Sequence, residues 1–175
     1  MERYSLGHAV NYTVTCSRTF KVAVEGNIGC GKSTFLQYFK KLSPKIQVSP
    51  EAIELWKDVK GFKFRQLSDG DVETFNAYYE WGLKLPIFQL DLIVYLRCSP
   101  EVCAERVRKR NRRGEGSISM DYLNQLHDLH EDWLLGSKTD CVRPPIIVFD
   151  CNEPLENLTK AYFQRRDQVL GGVRF

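Results

Sequence analysis

Phe20-Lys21-Val22-Ala23-Val24-Glu25-Gly26-Asn27-Ile28-Gly29-Cys30-Gly31-Lys32-Ser33-Thr34-Phe35 is the stretch that decides the fold. Its first six residues are rich in β-branched and aromatic side chains and read as a strand. Its centre fits the spacing Gly, four residues, then Gly-Lys-Ser. Beyond it, Phe35, Tyr38, Phe39 and Leu42 recur at helical spacing. Strand, glycine loop, helix is the setting in which such a loop cradles phosphate. Gly26, Gly29 and Gly31 permit positive φ and close approach of N–H groups. The helix start adds unpaired amides and the positive end of its dipole. Lys32 is placed to reach β- and γ-phosphate oxygens and to act in transfer, and the Ser33 hydroxyl is the expected Mg²⁺ ligand. Gly26, Asn27, Ile28, Gly29, Cys30, Gly31, Lys32, Ser33 and Thr34 therefore form a candidate nucleoside triphosphate site. A glycine turn that binds nothing is the alternative.

The chain has 175 residues, enough for one domain with a sizeable core. Its 43% hydrophobic content is ordinary for a globular chain, and no apolar run approaches a membrane span. A net charge of +3 does not by itself imply nucleic acid. The six cysteines (Cys16, Cys30, Cys98, Cys103, Cys141, Cys151) show no paired CxxC spacing, which argues against zinc and against a disulfide framework. Cys30 is either a small-residue filler of the loop or an oxidation-sensitive thiol. Residues 1–19 are poorly patterned, and a disordered tail competes there with a faint transit-peptide match. The expected organisation is thus a tail over 1–19 and one domain over 20–175.

Lys45-Ile46-Gln47-Val48-Ser49 reads as a second strand entering the loop Pro50-Glu51-Ala52. Phe62 to Leu67 alternates and is a candidate short strand, and Asp71 to Lys84 reads as a helix. Asp91-Leu92-Ile93-Val94-Tyr95-Leu96 is a strand buried on both faces, as in the middle of a parallel sheet. Ser99-Pro100-Glu101 is a helix start, with a cap, a first-turn Pro and an acid at the positive dipole end. That helix is expected to reach about Arg113. Another begins at Ser119, with Tyr122, Leu126, Leu129 and Trp133 on one face. Pro145 to Asp150 is a further buried strand. A last helix runs from Pro154 to about Leu170, aligning Leu155, Leu158, Tyr162 and Val169. Strands alternating with helices give an α/β domain with a mainly parallel sheet, and its ligands belong at the carboxyl ends of the strands.

Glu51, directly after the second strand, is a candidate general base for a substrate hydroxyl attacking the γ-phosphate, or a plain loop acid. Trp56 either lines a base pocket or belongs to the core. The basic run holds Arg106, Arg108, Lys109, Arg110, Arg112 and Arg113. With the glycines at 114 and 116, it reads as a lid over the triphosphate ahead of a solvated basic face. It lacks the interleaved aromatics that single-stranded nucleic acid would call for. His127 and His130 share a helix face without a third ligand, so a structural face is expected there rather than a metal site.

Several segments together resemble the deoxynucleoside kinases of the mitochondrial thymidine kinase and insect multisubstrate type. They are Val24 to Thr34, Pro50-Glu51-Ala52 through Trp56, Asp91 through Glu101, the basic run, Tyr122 through His127, and Leu129-His130-Glu131-Asp132-Trp133-Leu134. The resemblance implies a P-loop kinase three-layer fold with a mainly parallel sheet, ATP and Mg²⁺, and transfer of the γ-phosphate to the 5′-hydroxyl of a deoxynucleoside such as thymidine or deoxycytidine. It implies Glu51 as general base, although Ala52 stands where the family usually has Pro. It also implies Glu51, Trp56 and Glu115 at the substrate, and Arg108, Arg110 and Arg112 in the lid. A homodimer, with the helix at 71–84 contributing to its surface, and a mitochondrial or cytoplasmic location belong to the same expectation, with no nucleic-acid or membrane partner.

One departure stands out. Between the second strand and Asp91 the family carries a long stretch with substrate-pocket helices and a central strand ending in an acid-Arg-Ser motif. Much of that stretch is missing here. Either the second strand pairs directly with the first, or 62–67 substitutes, or the sheet keeps a gap with an unpaired edge. An active kinase with a reduced pocket and a non-catalytic ATP-binding or dimerisation module are the competing expectations. A nucleoside monophosphate kinase is a more distant one, and no Asn-Lys-x-Asp guanine motif supports a GTPase.

Overall fold

The computed structural model describes residues 19–49, 69–85, 89–112, 115, 118–136 and 144–172. The glycine-loop strand is β1, Val22–Glu25, and the helix after it is α1, Lys32–Lys40. Then follow α2 (Asp69–Leu83), β2 (Leu92–Arg97), α3 (Pro100–Arg110) and α4 (Met120–Leu134). The chain continues through β3 (Ile146–Asp150), α5 (Leu155–Gln164) and the short α6 (Arg166–Val169). Among the described residues three strands form one parallel sheet in the order β1-β2-β3. Each crossover carries helix, so the architecture is α/β with helices on both faces.

β2 is the centre of this sheet for a chemical reason. Leu92 through Leu96 are all apolar or aromatic, and all five are buried. Its even-numbered residues Leu92, Val94 and Leu96 join Ile147 and Phe149 of β3 on one face. There they meet Phe35 and Phe39 of α1, Leu158 and Tyr162 of α5, and Val169 of α6. Phe35, Phe149 and Tyr162 pack in T-shaped and tilted pairs, with ring centroids 4.9–5.8 Å apart. Ile93 and Tyr95 point to the other face, where Leu134 of α4 covers them. The three-layer arrangement expected of the chain is therefore present.

Three expectations are corrected. Residues 45–49 are not a strand: Ile46 and Val48 are half-buried and Lys45, Gln47 and Ser49 exposed, so the alternation is kept, but no ladder forms. A strand is defined by its partner, and the partner is what a five-residue pattern cannot supply. Among the described residues β1 pairs with β2 alone, so 45–49 does not pair with it; the candidate strand at 62–67 lies outside them. The last helix is broken at Arg165, whose guanidinium turns inward to donate to the Val148 carbonyl at 2.9 Å and to lie over the Phe149 ring. On α4 the stripe of Tyr122, Leu129 and Trp133 faces outward, while Leu123 and Leu134 are the buried residues.

Candidate functional site

The glycine loop leaves β1 at the carboxyl edge of the sheet, where the turns after β2 and β3 also meet. Two glycines are there because nothing larger fits. A Cβ on Gly26, at φ 147°, would lie 2.6 Å from the Leu96 carbonyl oxygen, and one on Gly29, at φ 87°, 2.7 Å from that of Cys103. Gly31 differs: at φ 110° it caps α1, and a Cβ there would meet nothing within 4 Å. No side chain caps α1 and no acid lies in its first turn. The amides at the start of α1 thus bring the positive end of its dipole to open space, beside the exposed Ser33 and Thr34. This is the arrangement a phosphate needs, and these residues fit the triphosphate the sequence implies.

Lys32 folds back on the loop, donating from Nζ to the Gly26 carbonyl at 2.6 Å and the Asn27 carbonyl at 3.2 Å. A cation held by two neutral carbonyls exchanges them readily for charged oxygens. Cys30 is 1% exposed and packs in the core with Cys98, Cys103 and Cys151. Burial pushes its thiol up against the pull of Lys32, which makes it a filler of the loop's underside rather than a nucleophile.

The basic run divides. Arg106 turns away from the lid, towards Cys98 Sγ at 3.6 Å and the Glu153 carbonyl at 3.5 Å. α3 ends at Arg110, three residues before the expected Arg113, because Asn111 takes the left-handed conformation at φ 45° and returns its N–H to Val107. Just beyond, Arg110 grips Glu115 through a fork of Nε and Nη2 contacts at 2.8–3.0 Å, and Arg112 approaches the same carboxylate at 3.8 Å. Arg108, Arg112 and Glu115 line a cavity of about 200 Å³ with Val107, Asn111 and Leu123. Arg108, Arg110, Arg112 and Glu115 are therefore brought together, with Glu115 engaged by arginine. Glu51 and Trp56 lie outside the described residues.

Two contacts had no signal in the sequence. Asn27 is 3% exposed; its Nδ2 donates 2.8 Å to the Leu123 carbonyl of α4, and its Oδ1 accepts from the Ile28 N–H. Farther along α4, Glu131 accepts from the Tyr95 hydroxyl at 2.7 Å and from Arg97 at 2.7–3.1 Å. Burial works against ionised Glu131, but the hydrogen bonds from Arg97 and Tyr95 prevail and hold its carboxyl below the usual range. Burial, reinforced by Glu131, raises the Tyr95 phenol well above its ordinary value. His130 stacks on Tyr95 and bonds the Leu126 carbonyl through Nδ1. Among the described residues no group of three His, Cys, Asp or Glu is placed to hold a metal, and no helix is long and apolar enough to cross a membrane.

Comparison with known proteins bears on the whole chain. Human mitochondrial thymidine kinase 2 is 24% identical over 205 aligned positions, covering 85% of this chain and 77% of that protein. Those 205 positions exceed the residues this chain contributes, so the relative has residues within the aligned region with no counterpart here. Chicken deoxycytidine kinase 2 is 27% identical over 80% of this chain and 85% of its own length. A mitochondrial deoxyguanosine kinase of Xenopus laevis is 36% identical over 48% of this chain and 34% of its own. The deoxynucleoside kinase family profile matches residues 62–170, from beyond the glycine loop through the lid to α6. That match spans more than half of the chain, and the chain belongs to the deoxynucleoside kinase family.

Proposed function

We propose that this chain transfers the γ-phosphate of ATP to the 5′-hydroxyl of a deoxynucleoside, thymidine or deoxycytidine, in nucleotide salvage. The observation that carries the reading is the uncapped start of α1 under Gly31, with open space above it and Lys32 beside it on exchangeable carbonyl partners. Gly26, Asn27, Ile28, Gly29, Cys30, Gly31, Lys32, Ser33 and Thr34 then bind the triphosphate through backbone amides and the Lys32 ammonium. Mg²⁺, when bound with ATP, offsets charge on the β- and γ-oxygens. The Ser33 hydroxyl, exposed in the first turn of α1, would be its ligand from this chain. Lys32 leaves the Gly26 and Asn27 carbonyls for the phosphates. Glu51 takes the proton of the substrate hydroxyl as it attacks. Arg108, Arg110 and Arg112 close over the transferring group. Glu115, released from Arg110, turns to the sugar beside Trp56.

The relatives named as mitochondrial support a mitochondrial location, and those named simply as deoxycytidine kinases leave a cytoplasmic one equally open. Residues 20–175 constitute the catalytic domain. A homodimer is supported by α2, whose Phe75, Tyr78, Tyr79 and Trp81 are 49–68% exposed. Exposed aromatic surface of that extent marks an association site. The test of the reading is a thermal-shift and turnover series on the purified chain. ATP·Mg²⁺ should raise the melting temperature, thymidine or deoxycytidine should be phosphorylated, and Trp81→Ser should lower the apparent mass on gel filtration. Binding of ATP without turnover of any natural deoxynucleoside would overturn the enzymatic reading.

A further inference from the structure

We propose that Asn27 is a positioning residue that ties the phosphate loop to the lid, so that filling the loop and closing the lid are coupled through its side chain. This deepens the kinase reading and rests on it. Asn27 and Ser43 are the only buried polar or charged residues among those described. A buried carboxamide is costly unless both of its ends are paired, and here both are. Nδ2 meets the Leu123 carbonyl and Oδ1 the Ile28 N–H, each at 2.8 Å. The orientation is fixed by chemistry: a flipped amide would set donor against donor and acceptor against acceptor.

What Asn27 grips is the root of the lid. Leu123 lies in the first turn of α4, directly after the segment that carries Arg112 and Glu115, and its side chain lines the cavity those residues share. The other root of the lid, α3, is also held on the loop, through the close approach of Gly29 to the Cys103 carbonyl and Val107 Cγ2. That second contact is van der Waals and tolerates sliding; the Asn27 bond is directional and does not. α4 is in turn anchored near its far end by Glu131 on Arg97 and Tyr95, so a pull at Leu123 meets a helix that pivots rather than drifts. The main chain of Asn27 also faces the working lysine, because its carbonyl is one of the two that hold Lys32 Nζ. When Lys32 moves to phosphate, that carbonyl loses a partner two bonds from the Cα whose side chain holds α4. One residue thus joins the group that senses phosphate to the helix that bears the lid.

The test uses the full chain, ATP·Mg²⁺ as the probe, and three readouts: thermal shift, turnover and amide hydrogen exchange. In the native sequence ATP·Mg²⁺ should slow exchange at residues 26–34 and also at 120–126. In Asn27→Ala, protection of 26–34 should remain and protection of 120–126 should vanish. Turnover should fall about tenfold or more while the KM for ATP changes by less than about threefold, the mark of misplacement rather than lost binding. Asn27→Asp, which keeps the acceptor for Ile28 but cannot donate to Leu123, should behave like Asn27→Ala. Protection that stays confined to 26–34 in the native chain while ATP raises its melting temperature would overturn the coupling, whether or not the variants fold. So would full protection of 120–126 in Asn27→Ala, or loss of turnover and ATP binding in parallel. Absence of any ATP-induced shift in the native chain would instead overturn the kinase reading, and the coupling with it.

Discussion

β2 and β1 are neighbours in one sheet, yet β2 is buried from Leu92 to Leu96 while every residue of β1 is only half-buried. The difference is one of company rather than composition. β2 has a strand on each side and helices on both faces; among the described residues β1 has β2 alone. The same contrast runs through the helices: α1 and α5 press Phe35, Phe39, Leu158 and Tyr162 into the core, whereas α2 leaves four large aromatics exposed. The described residues thus include a packed flank, where α1 and α5 close on the sheet, and a less covered one at the β1 edge. Under the proposed function, the donor phosphates belong at the start of α1, on the first.

Substitutions on the two flanks should separate them by size of effect. Phe35→Ala, in the aromatic cluster with Phe149 and Tyr162, should cost about 3–5 kcal/mol in urea unfolding, near the total stability of a small domain. Within α4 the contrast narrows to two leucines on opposite faces. Leu123→Ala, at 1% exposure, should cost about 2–5 kcal/mol, while Leu129→Ala, at 64%, should change stability by no more than about 0.5 kcal/mol. Equal costs would mean that the outward stripe of α4 is packed after all. Between these lies Glu131→Gln, which weakens a half-exposed ion pair and should cost about 1 kcal/mol near neutral pH. Its pH dependence has a definite sign. Because the folded-state carboxyl is held below its unfolded value, its contribution is present above the ordinary glutamate range near pH ~4.3 and is lost as pH falls through the lower folded value. The urea midpoints of native chain and variant should therefore converge on acidification below that range.

Legibility in the sequence followed the same division. The glycine loop, β2, β3 and the capped start of α3 were readable because each carries its cause locally: spacing, an unbroken apolar run, or a Ser-Pro-Glu start. Residues 45–49 show the right alternation without a strand, because pairing depends on a neighbour far along the chain. The buried side of α4 was unreadable because it carries apolar residues on two faces, and only the sheet decides between them. Arg165 ended a helix through a hydrogen bond to Val148, 17 residues back, that no local pattern announces. Of the candidate site, the conformation of the glycine loop was legible from its spacing, and the arginine run from its composition. The engagement of Glu115 by Arg110 and the bond from Asn27 to Leu123 were not, the latter being a side chain meeting a carbonyl 96 residues away.

The most direct measurement is phosphoryl transfer itself: the purified chain with labelled ATP·Mg²⁺ and thymidine or deoxycytidine, run beside Lys32→Ala. The proposed function predicts labelled deoxynucleoside monophosphate from the native chain, and none above background from Lys32→Ala at unchanged fold. Equal signal from both proteins, or none from a folded native chain that ATP demonstrably stabilises, would contradict it.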